Sequence, residues 1–174
     1  MKEKLKKLFK SKVFKKVTLI IGVIFIILTF ILVLRPEPFI KLGYWGVLLF
    51  GIFGPSMAVV PRLALEMNLV LVAIMSALGM AINDSVTWWV GKVVGDEVIK
   101  RTEKIEKIEK IIKKFGLIAI LGWSFIPFPY DLIGLIAGYL EVSFVGFLGV
   151  TFLGRLVRFL LIGAGVVGVS KMLY

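Results

Sequence analysis

The stretch FGLIAILGWSFIPFPYDLIGLIAGYL, Phe115 to Leu140, decides how this chain folds. It runs uncharged through Leu121, Trp123 and Ile126, stops at Pro127-Phe128-Pro129-Tyr130-Asp131, and resumes as an apolar segment to Gly138. A proline inside a helix removes an N–H and crowds the turn before it, so Pro127 and Pro129 together end a helix rather than bend it. Asp131 adds a carboxylate among hydrocarbon-like neighbours, at about 3 kcal/mol for the centre of a membrane helix. Open backbone and charge at that depth persist only against protein or a water-filled cavity. Residues 115–140 are therefore expected to form a re-entrant broken helix.

Composition sets the class. Hydrophobic residues make up 59% of 174 residues, and they come in runs, as in an integral membrane protein. With neither Cys nor His, disulfides, thiol chemistry, structural zinc and histidine catalysis drop out. Neither a metal nor a cofactor is expected. Gln is absent and Lys, Glu and Ile abound, a composition that leans towards thermophiles. The net charge is +11, but eight of the 22 basic residues lie between Lys2 and Lys16. That run reads as the positive flank of a membrane anchor rather than as a nucleic-acid arm, and no nucleic-acid partner is expected.

Val17 to Leu34 is uncharged, and its length at the helical rise spans roughly 27 Å. Arg35-Pro36-Glu37-Pro38 follows where a signal peptide would carry small residues. Residues 1–38 are thus a basic cytoplasmic tail and an N-terminal transmembrane anchor, with the rest of the membrane domain in 39–174. Residues 43–65 form a second interrupted stretch, with breaks at Gly54-Pro55-Ser56 and at Pro61-Arg62. A single kinked spanning helix is the alternative there. Residues 68–94 form a full transmembrane helix on which Ser76, Met80, Asp84, Thr87 and Gly91 share a face, with Asn83 beside it.

Residues 96–114 change character. Glu precedes Lys by four at 103/107, 106/110 and 109/113, the favourable order for helix pairs. Ile105, Ile108, Ile112 and Phe115 make an apolar seam, which predicts an amphipathic helix lying on the membrane rather than a coiled coil. Residues 142–169 are the last transmembrane helix. It is rich in glycine, as close packing in lipid favours, and Thr151, Arg155 and Arg158 share one face. If each broken stretch enters and leaves on one side, the seven basic residues of 100–114 stay in the cytoplasm with the N-terminus, as the positive-inside rule requires. The expected fold is all-α integral membrane, multi-pass in the cell membrane: an inverted repeat of two units, each a re-entrant broken helix plus a full transmembrane helix.

Gly79, Asn83-Asp84, Trp88, Gly91-Lys92 and Gly95 stand at the spacing of a Gly…Gly-Asp…Tyr…Gly-Arg…Gly motif, with Asn for the second Gly and Trp for Tyr. Phe115-Gly116, Ile126-Pro127 and Ala137-Gly138 follow a second motif, and Gly154-Arg155 a third. From about Gly43 to Gly168 the chain resembles the DedA / SNARE-associated Golgi protein (VTT-domain) family. The resemblance implies a membrane protein that moves lipids between leaflets: polyprenyl phosphate carriers for some bacterial relatives, phospholipids for eukaryotic scramblases. Many members carry an acid at the first Pro-rich break, where Phe50 to Val60 has none. Arginines usually flank the second, where this chain has Ser124 and Tyr130. These departures bear on proton coupling and phosphate recognition.

The intramembrane ionisable set is Asp84, Asp131, Arg155 and Arg158. Two readings stand: an Asp–Arg pair that joins two helices, or arginines that hold a lipid phosphate while the aspartates supply counter-charge or a proton relay. Anionic lipid head groups are the expected partners. The breaks at Pro55, Pro61, Pro127 and Pro129 and the glycines Gly79, Gly91, Gly95 and Gly138 shape the site. No enzymatic activity is expected. A non-catalytic assembly factor is the main alternative, and an aspartyl hydrolase using Asp84 and Asp131 a weaker one.

Overall fold

A computed structural model describes residues 41–53, 56–99, 102–126 and 129–173, with Ile24 and Ile27 before them. The basic tail and most of the 17–34 anchor, as well as Pro55 and Pro127, lie outside these residues. Seven helices follow in order: α1 (Gly43–Phe53), α2 (Ser56–Glu66), α3 (Leu69–Val98), α4 (Glu103–Phe115), α5 (Leu117–Phe125), α6 (Tyr130–Tyr139) and α7 (Phe144–Leu173). There is no strand among the described residues.

Local chemistry sets the boundaries. The Asn68 carboxamide oxygen accepts from the N–H groups of Val70 and Leu71 at 3.1 and 3.2 Å, starting α3. Thr102 opens α4 by accepting from the Ile105 N–H at 3.4 Å. Gly116, at φ 57°, ends α4 in a conformation that suits glycine and turns the chain directly into α5. Pro129 precedes α6 as its cap. Pro61, expected as a break, instead lies inside α2. Its missing N–H would have bonded the carbonyl of Met57 in the first turn, beside the Gly54-Pro55 interruption, where a lost bond disturbs little helix.

Two helices, Leu69–Gly95 and Phe144–Met172, are long and apolar enough to cross a membrane. The four short helices α1, α2, α5 and α6 have 9 to 11 residues each, about 14–17 Å, or half of a hydrocarbon core of about 30 Å. Each long helix lies against short ones: α3 packs on α1, α6 and α7, and α7 on α3, α5 and α2. One apolar cluster joins Trp88, Ile120, Ile133, Ile136 and Phe147, and another joins Val47, Phe50, Val60, Val72 and Phe159. The outside is apolar too, with Val145 78% exposed and Ile118 74% exposed. Such surfaces suit lipid as solvent.

The seam of α4 differs from expectation. Ile108 and Ile112 are buried in the first cluster and Ile105 packs against it, so α5 and α6 cover the seam. Only Phe115 and the neighbouring Ile111 remain exposed for lipid. The seam's period is helical, but its partner is protein.

Candidate functional site

Where α3 crosses α7, Arg155 Nη2 donates to Asp84 Oδ2 at 2.8 Å, with both side chains under a tenth exposed. Desolvating two charges is compensated only by close geometry and further contacts. Arg155 has these on one face: its guanidinium sits 4.7 Å from the centre of the Tyr130 ring, and Nη1 lies 3.9 Å from Met80 Sδ. Tyr130 is fixed in turn by a 2.7 Å hydrogen bond between its hydroxyl and Thr151 Oγ1, and its ring stacks on Phe147. Among the described residues none hydrogen-bonds the buried Arg155 Nε. The sequence puts Thr151 on one face with Arg155 but gives it no partner, and it gives Tyr130 of the interruption no role; the structure joins the two beside the guanidinium.

Arg158, one turn further along α7, is in a different situation. Nη1 donates to the carbonyl of Ile126 at 3.3 Å, just before the second break, and Nη2 lies 2.8 Å from Met57 Sδ, just after the first. The residue is 8% exposed, and among the described residues no carboxylate pairs with it. One side chain therefore touches the margins of both interruptions. A counterpart occurs on α3, where Asn83 Nδ2 donates to the carbonyl of Ile52 at 2.8 Å, before the first break. Asn83 lies fourteen residues after Leu69, and Arg158 fourteen after Phe144.

Asp131 is exposed in the first turn of α6, where a carboxylate complements the positive helix end. Among the described residues it makes no ion pair. Asp84 and Asp131 share no hydrogen bond, and their surroundings differ. The motif glycines serve contact: a side chain on Gly91 would strike the Leu135 carbonyl, one on Gly138 the Trp88 carbonyl, and one on Gly79 the Leu48 carbonyl. Gly95 lies against the ring of Tyr139.

Two long apolar helices flanked by half-length ones, around a buried ion pair, define an all-α membrane protein. Residues 47–167 match the family model of the VTT domain, and the chain belongs to that family, the DedA family. An uncharacterized protein of Methanocaldococcus jannaschii is 29% identical over 126 residues, covering 67% of this chain and 79% of the relative. No solved structure gives a significant match.

Proposed function

We propose that this protein is a passive lipid transporter, a scramblase or flippase that lets an anionic head group cross the bilayer along a polar seam while the tails stay in hydrocarbon. The observation that carries the reading is Arg158: a buried cation with no carboxylate partner among the described residues, placed between the two interruptions. Isolated charge at membrane depth is expensive and marks a ligand path by default. Arg155 is neutralised by Asp84 and serves to hold α3 to α7. No bond need be made or broken for such exchange, so no catalytic residue is assigned.

The seam follows if α1–α2 and α5–α6 are re-entrant pairs that meet from opposite faces. Matching contacts support that inverted repeat. A side chain on Gly79 would strike the Leu48 carbonyl and Gly51 of α1, and one on Gly154 would approach the Leu121 carbonyl and Ser124 of α5. Both glycines stand ten residues into their long helix. The second arms reach the opposite long helix, α6 packing on α3 and α2 on α7 as well as on α3. With such a repeat, the positive-inside rule assigns α4 and its basic residues to the cytoplasm and the C-terminus to the outside. The chain has no native cysteine, so single cysteines at Lys107 and Lys171 can be probed in intact cells with an impermeant thiol reagent. Labelling at 171 and protection at 107 is expected, and the reverse pattern would reject the topology.

Exchange itself is tested with purified protein in liposomes carrying labelled anionic lipids. Energy-independent exchange is expected, falling about tenfold or more in Arg158→Gln, as the loss of about 1.4 kcal/mol of barrier stabilisation would give. Glutamine keeps hydrogen-bond donors and removes the charge, so the fall reports electrostatics. No exchange above empty liposomes by well-folded protein would instead favour a non-catalytic assembly role.

A further inference from the structure

The charge balance around Arg158 allows a narrower statement. α1 contributes no ionisable side chain except Tyr44, and α5 contributes none. In α2, Arg62 and Glu66 pair with each other at 3.2 Å on an exposed face. In α3, Asp84 is bound to Arg155 of α7, and that pair sums to zero; Lys92, Asp96 and Glu97 of α3 and Lys171 of α7 lie towards the C-terminal ends of their helices. α6 offers the phenols Tyr130 and Tyr139 and the exposed carboxylate of Asp131 at its first turn. The interrupting residues Gly54, Pro55, Pro127 and Phe128 carry no charge. Among the described residues between the breaks, Arg158 thus carries a positive charge that no carboxylate pairs, and Asp131 is the nearest negative charge in sequence to the second break.

We propose that this site selects head groups bearing a single negative charge, phosphodiesters, and disfavours phosphomonoesters bearing two. The inference rests on the lipid-transport reading above. A phosphodiester oxygen set on Arg158 balances its charge. Of the guanidinium's five N–H groups, one is used by the Ile126 carbonyl and another faces only the weak acceptor Met57 Sδ, so donors remain for the anion. Met57 and Ile126 are themselves half exposed, so the groups that cover Arg158 on that side lie at the surface. Among the described residues a second negative charge meets no uncommitted cation beside Arg158, because Arg155 is committed to Asp84. It lies in a region of low dielectric, where an unbalanced charge is costly. The second proton of a phosphomonoester leaves near pH 6. A monoester is therefore a dianion at about pH 8 and close to a monoanion at about pH 5, while a diester is a monoanion at both.

The test uses the unmodified protein in liposomes with two reporter lipids that share tails, one headed by a methyl phosphodiester and the other by a phosphomonoester. Diester exchange is expected to be the same at about pH 5 and about pH 8. Monoester exchange is expected to be at least about tenfold slower than diester exchange at the higher pH and to approach it at the lower. Arg158→Gln should abolish the preference. Monoester exchange as fast as diester exchange at high pH overturns the proposal. So do rates for both lipids that move together with pH, since a protein carboxylate would then be the titrating group. Dimethyl phosphate in the bulk water distinguishes a free anion from a head group: no competition is expected, and competition would reassign the site to soluble anions. If neither lipid exchanges, the transport reading fails. The selectivity is then read in detergent, where the short-chain diester must raise the thermal unfolding midpoint more than the monoester at high pH; equal shifts overturn it.

Discussion

Asp84→Ala is expected to remove most of the folded protein, and adding Arg155→Ala is expected to restore part of it. The single change leaves a guanidinium buried with its counter-charge gone, at about 3–5 kcal/mol. Set against a total stability of about 5–15 kcal/mol, that is a large fraction. The double change removes both charges and leaves a void between α3 and α7. It also takes the cation from the face of Tyr130, so recovery stays incomplete. Folded yield after detergent extraction and the thermal unfolding midpoint of the four-member cycle are the measurements. A coupling of about 2 kcal/mol is expected, within the range for residues in direct contact. Strictly additive losses would show that the 2.8 Å pair contributes nothing as a pair.

An Asp–Arg pair joining two helices is one of the two readings the sequence supports, and helical rise turns residue number into depth in a membrane. Asp84 and Arg155 fall at similar depths on long helices, and the only remaining question was whether the helices face each other. The interruption at Pro127 and Pro129 was equally plain, since two missing donors in three residues leave a helix no continuation. What escaped reading was the identity of each partner. The periodicity of Ile105, Ile108 and Ile112 announces an apolar seam, but lipid and protein are both apolar, so nothing in the pattern says that α5 and α6 cover it. Pro61 reads like Pro127, yet it lies early in its helix, where the lost bond falls beside an existing break. Arg155 and Arg158 are chemically the same and one turn apart. Only the crossing of α3 and α7 decides that the first is neutralised and the second is not. The aromatic support under Arg155 comes from Tyr130, the first residue of α6, and the proline-rich sequence around it shows no period by which to place its ring.

Gly138→Leu is expected to unfold the protein, while Gly149→Leu changes little. Both glycines lie in apolar helices, so propensity and hydrophobicity treat the two substitutions alike. The surroundings do not. A Cβ on Gly138 would overlap the Trp88 carbonyl and come within 3.0 Å of the Lys92 nitrogen, whereas nothing lies within 4 Å of one on Gly149. The obstacle at Gly138 is backbone, which cannot rotate away, so α3 and α6 must separate. Gly91 faces Leu135 in the same way, and Gly134 faces Thr87, so spacings of four on both helices set one continuous close crossing. Opening it also costs the 3.1 Å bond from the Trp88 indole N–H to the Val142 carbonyl. Overpacking alone costs about 1–3 kcal/mol, and a forced backbone shift along a whole crossing exceeds about 4 kcal/mol. The consequence reaches the site. The Asp84 carbonyl lies 3.3 Å from where a Gly134 side chain would begin, so separating the helices also displaces Asp84 from Arg155. Size-exclusion profiles and unfolding midpoints in one detergent compare the variants directly. Equal behaviour of Gly138→Leu and Gly149→Leu would mean that the motif glycine is not there for the crossing. Loss confined to Gly138→Leu would tie this part of the family motif to the packing that holds the ion pair.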